Sequence, residues 1–145
     1  MTTEEIKAAI PHRAPMLLVD EVLEKSDSHI VTRKTFHADE FFTHGHYPGN
    51  PVVPGIILCE VGMQSGAIFL SQLSGTQESG EAGVPVATRM NDVRFRQIVK
   101  PGDTVEVHVE LVEQLANAFF MKAKMSRDGK QVMRFEFACA LAQAE

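Results

Sequence analysis

Three side chains in the middle of this chain combine types that move protons. His46 stands in a Gly/Pro-rich stretch, Glu60 follows 14 residues later, and Gln64 lies four beyond Glu60, on the same face of a helix. Imidazole titrates near neutrality and suits a general base. A carboxyl group in an apolar helix is held toward its protonated form, which suits a general acid. Glu60 also stands beyond the first turn, where the pull of the helix dipole has faded. Pro54-Gly55 marks the helix start. Unpaired N–H groups and partial positive charge there can hold an oxygen that gains negative charge, and Gly55 would let a ligand approach closely. Base, acid and oxyanion site together suit proton abstraction beside a carbonyl, with loss or addition of a group at the neighbouring carbon.

Plainer readings stand beside this one. Glu60 and Gln64 fit a hydrogen-bonded buried polar pair, and His46 fits a solvent-facing or turn-stabilising histidine. His44 and His46, with His37 nearby, lack an acidic or Cys partner at a recognisable metal-ligand spacing. Gly62 and Gly66 fit close packing of a neighbouring element. Arg94 and Arg96, two apart on one strand face, are by default solvated.

The elements that must position these groups follow from pattern. Residues 3–10 read as a short helix ended by Pro11. Residues 16–25 and 29–36 read as two strands of a hairpin. Residues 41–55 crowd prolines and glycines among aromatics and histidines, which excludes regular structure and points to a shaped loop. Residues 56–73 predict a helix of about 27 Å, apolar on nearly every face, which must be enclosed. Glu60, Gln64 and Gln72 argue against that run as a membrane span. Residues 74–83 read as an exposed loop. Four strands follow, 85–99, 104–113, 118–126 and 131–142, with Asp128-Gly129 the strongest hairpin signal. So few helices bury the long one only if an antiparallel sheet wraps around it, an α+β layout whose edge and outer face a second copy would cover.

A length of 145 residues sets one domain, 1–145, and 44% apolar with 23% charged residues describes a chain that folds. Fourteen basic against nineteen acidic residues give a net charge of -5, which argues against a general nucleic-acid binder or an anionic-membrane binder. One basic stretch stands apart: between residues 89 and 100, Arg89, Arg94, Arg96 and Lys100 face one acid, Asp92. Cys59 and Cys139 each sit in an apolar run and read as buried thiols of a reducing cytoplasm. The first residues carry acids where a secretory signal needs bases.

The stretches IKAAIPHRAPMLLVDEV, HADEFFTHGHYPGNPVVPGIILCEVGMQSG and VRFRQIVKPGD, in that order along nearly the whole chain, resemble the FabZ-type 3-hydroxyacyl-[acyl-carrier-protein] dehydratases of the hotdog superfamily. The resemblance implies a hotdog fold, with catalytic base on His46, catalytic acid on Glu60 and a carbonyl-polarising N–H on Gly55. It implies that Gln64 supports the acid, that Phe42, Tyr47 and Pro54 border the substrate, and that no metal or redox cofactor takes part. Its implied partners are an acyl carrier protein met by Arg94, Arg96 and Lys100, and a second subunit whose Glu60 meets His46, three such dimers forming a hexamer. The chain departs from the pattern at Thr43-His44, where one residue is common, and at Ala14, Tyr47, Ile98 and the residues after Glu60. Competing expectations on the same fold are a coenzyme A thioesterase or hydratase, and a non-catalytic acyl-binding protein.

Overall fold

The computed structural model describes residues 1–73 and 84–142; the loop expected over 74–83 lies outside them. Helix α1, Thr3–Ala9, begins in a reciprocal cap between Thr2 and Glu5. Strands β1, Glu21–Lys25, and β2, His29–Thr35, form the first hairpin, and the long helix α2 spans Gly55–Ser71. Four strands complete the chain: β3, Val84–Phe95; β4, Thr104–Leu115; β5, Ala118–Arg127; and β6, Lys130–Ala142. All pairings are antiparallel, in the order β1-β2-β4-β5-β6-β3.

Period-two alternation makes the inner face of the sheet. Val105, Val107 and Val109 of β4 and Phe119, Met121, Ala123 and Met125 of β5 are buried, while Glu106, His108, Lys122 and Lys124 point out. Against this face lie Leu58, Val61, Ile68, Phe69 and Leu70 of α2. The approach is close because Gly62 and Gly66 have no side chains: a Cβ there would sit 2.7 Å from the Phe135 ring and 2.6 Å from the Phe137 ring. This is the hotdog arrangement, a sheet curled around one long helix.

Three element boundaries differ from the sequence pattern. Residues 16–20 form no strand: the Met16 and Leu17 amides turn back to the Arg13 carbonyl, Gln64 takes the Leu18 N–H (2.9 Å) and donates to the Met16 carbonyl (2.7 Å), and the segment reaches β2 through the Asp20 N–H to the Arg33 carbonyl. Strand β3 ends at Phe95 instead of continuing to 99, since the Arg96 and Gln97 amides both turn to the Val132 carbonyl. Arg94 and Arg96 therefore do not share a strand face. Within the 41–55 loop, Phe41–Thr43 form one 3-10 turn. Asp128-Gly129 closes the β5–β6 hairpin with both residues left-handed (φ 52° and 79°), as that dipeptide favours.

Strand β3 is an edge, twelve residues long and exposed along most of its length, with Val86, Met90 and Phe95 among its exposed apolar side chains.

Candidate active site

The His46 loop is held at several points. Lys34 of β2, with its side chain 4% exposed, reaches Glu40 at 2.6 Å, and Glu40 also accepts the His37 N–H. The Thr43 hydroxyl donates to the Ala38 and Glu40 carbonyls, and the His46 N–H donates to the Thr43 carbonyl. On the far side the Val53 N–H donates to the Val99 carbonyl. Tyr47 adopts a left-handed φ of 55°, unusual for a bulky residue, and sets its ring edge-on to His46 at 4.8 Å.

These restraints fix the imidazole. His46 Nδ1 lies 2.7 Å from the Val52 carbonyl oxygen. A carbonyl only accepts, so Nδ1 carries the proton and Nε2 keeps a bare lone pair. A neutral imidazole held this way is a base with one available nitrogen.

Glu60 sits on the stripe of α2 that the sheet does not cover, along with Ile56 and Met63. Its side chain is 27% exposed within the single chain, so the full enclosure expected from an all-apolar helix is absent at this stripe. Oε1 accepts a hydrogen bond from Gln64 Nε2 at 3.1 Å and faces His12 Nε2 at 3.7 Å. The plain reading of Glu60 and Gln64 as a bonded pair is thus observed, and Gln64 also ties that pair to residues 16–18. Among the described residues no hydrogen bond or ion pair joins His46 to Glu60.

At the helix start, Pro54 provides no side-chain cap, and among the described residues the Gly55 N–H has no acceptor. A Cβ on Gly55 would lie 2.8 Å from the Phe95 ring. The space left by the missing side chain is therefore taken by Phe95 of β3, while the amide stays free to donate.

A FabA-like domain model matches residues 10–136, which include the loop, α2 and the strands around it. The chain belongs to this FabA-like family. Among curated relatives, it is 38% identical over 130 residues to the 3-hydroxyacyl-[acyl-carrier-protein] dehydratase FabZ of Clostridium perfringens (strain SM101 / Type A), covering 90% of this chain and 91% of the relative. It is 39% identical over 132 residues to the enzyme of the same name from Oenococcus oeni, covering 90% and 92%. Of solved structures, the Dehydratase Heterocomplex ApeI:P from Xenorhabdus doucetiae superposes with a TM-score of 0.80 at 19% identity, covering 97% of this chain and 91% of that one, a likeness of fold.

The remaining expected residues of this FabA-like chain are spread around the loop and helix start. Phe42 is buried with its ring edge-on to Phe36, whereas Tyr47 is exposed. Arg94 is exposed and bonded to Asp92, Arg96 is exposed beyond the end of β3, and Lys100 donates to Asn50 in the site loop. Among the described residues no three His, Cys, Asp or Glu side chains group to hold a metal, and no helix is long and apolar enough to cross a membrane. Sequence reasoning assigned no role to His12, Lys34 or Phe95. His12 was legible only as part of the Pro11-His12-Arg13 stretch, whose approach to α2 is a long-range contact.

Proposed function

We propose that this chain dehydrates 3-hydroxyacyl-[acyl-carrier-protein] thioesters to trans-2-enoyl thioesters in fatty-acid biosynthesis, with His46 as base and Glu60 of the partner subunit as acid. The single observation that carries the assignment is the His46 Nδ1 bond to Val52, which leaves Nε2 as the proton acceptor. His46 Nε2 takes a proton from C2, and the electron pair becomes an enolate whose oxygen accepts a hydrogen bond from the Gly55 N–H. The enolate pair then forms the C2=C3 double bond as Glu60 protonates the C3 hydroxyl, which leaves as water. Gln64 holds Oε1 of the acid. Phe42, Tyr47 and Pro54 border the acyl thioester, and Arg94, Arg96 and Lys100 receive the acidic carrier protein. The reaction moves protons and water only and calls for no redox cofactor.

Two features support a working unit of two chains: the open β3 edge with its exposed Val86, Met90 and Phe95, and the uncovered α2 stripe that holds Glu60. Three such dimers would make the larger assembly. Two buried free thiols fit work in the cytoplasm.

The test is formation of enoyl product from 3-hydroxyacyl carrier protein; no product, or release of free thiol instead, overturns the reading. His46→Ala and Glu60→Gln should each lower kcat by roughly a hundredfold. Wild-type turnover in either variant would show its role to be misassigned.

A further inference from the structure

We propose that His12 is a positioning residue for the acid, whose Nε2–H stabilises the Glu60 carboxylate as it forms. The inference rests on Glu60 being the acid. His12 Nε2 lies 3.7 Å from Glu60 Oε1, just beyond hydrogen-bond reach, and catalytic hydrogen bonds are often long before substrate binds and tighten in the reacting complex. The other ring nitrogen, Nδ1, is buried with no hydrogen-bond partner among the described residues. A proton on Nδ1 would be a donor with nothing to receive it, so the neutral ring carries its proton on Nε2, toward the carboxylate.

The local structure aims the ring. Pro11 follows α1, and Arg13 donates to the carbonyls of Ile10 and His12, fixing the turn that brings His12 to α2. Two donors thus face Oε1, Gln64 at 3.1 Å and His12 at 3.7 Å, while among the described residues no hydrogen bond to Oε2 is formed. This asymmetry leaves Oε2 to carry the proton that goes to the leaving hydroxyl. When that proton departs, negative charge spreads over both oxygens and meets the bonded Gln64 N–H and the nearby His12 N–H, which closes in as the charge grows, an interaction stronger in the transition state than before it. Around Glu60, its own helix contributes Gln64, the segment after α1 contributes His12, and residues 16–18 hold Gln64; across the proposed dimer stands His46 of the partner subunit. Among the described residues, His12 is the titratable group that faces Glu60 within the chain.

Two substitutions separate this role from packing. His12→Leu keeps bulk and removes the donor, whereas His12→Gln retains an N–H. In His12→Leu, kcat at the pH optimum should fall roughly tenfold with KM nearly unchanged. The alkaline limb of its kcat/KM profile should move upward by about half a pH unit or more, because the carboxylate has lost a stabilising donor and the acid keeps its proton longer. His12→Gln should recover most of both changes. Glu60→Gln is measured in parallel: if it retains the wild-type rate, the acid is misassigned and this role falls with it. If Glu60→Gln is inactive and the limb in His12→Leu does not move, the role of His12 alone is overturned. Loss of folding in both His12 variants, read by thermal melting, would also overturn it in favour of a structural part.

Discussion

Two thiols enclosed by apolar side chains behave differently from the proton-moving groups of the site. Burial raises the Cys59 thiol and pushes Cys139, on the inner face of β6, up to about 11 from an ordinary value near 9. The unfolded chain ionises its thiols first. Between about pH 9 and pH 11 it therefore gives up a proton that folded Cys139 keeps, and stability is lost across that window. Urea unfolding midpoints should fall from pH 8 to pH 10.5, less so in Cys139→Ala than in wild type, and iodoacetamide should label neither cysteine of the folded protein at pH 8. At this scale the sequence reveals groups whose chemistry is unusual for their surroundings: a glutamate in an apolar helix, a histidine among prolines, glycines four apart. It conceals His12, whose importance depends on which distant atom its ring meets.

The element that carries His46 is short and irregular, so its shape comes from what holds it down. Lys34 lies on the buried face of β2, two residues after Thr32 and two before Phe36 just past the strand, its ammonium 2.6 Å from Glu40 and 5.5 Å from the Phe36 ring centre. Removing the buried ammonium leaves the carboxylates of Glu40 and Asp20 facing each other's charge without their shared cation, and removing Glu40 leaves a buried ammonium with Asp20 at 3.9 Å alone. Lys34→Ala should lower the melting temperature markedly and reduce kcat with it, as the loop loses its anchor. The double variant Lys34→Met/Glu40→Leu should recover most of the stability, which calorimetry would read. Alternation places β2, β4, β5 and β6 within a residue or two of their observed limits, because half-buried strands announce themselves by period two. It extends β1 too early, where the Met16 and Leu17 amides turn back to Arg13 and the Leu18 amide goes to Gln64 rather than to a strand, and it does not foresee Lys34, whose burial depends on carboxylates from the segment before β1 and the loop after β2.

For the whole molecule, composition implies one domain whose surplus of apolar residues lies in α2, and the sheet does enclose that helix apart from the stripe holding Glu60. The proposed dimer predicts that charges on the open edge will separate the chains. Val86→Lys with Met90→Lys should shift sedimentation toward the single-chain mass and abolish turnover in proportion, since each site would lose the acid supplied from across the interface. A fold retained by circular dichroism with unchanged activity would show that one chain suffices. The two margins of the sheet are unequal. Strand β1 is five residues long and flanked by charge, whereas β3, though irregular between Ala87 and Arg89 and between Asn91 and Arg94, offers twelve residues of backbone. In the proposed dimer, growth would stop once two long rims had met, so the strand that closes the pair would also keep it from running on into fibres.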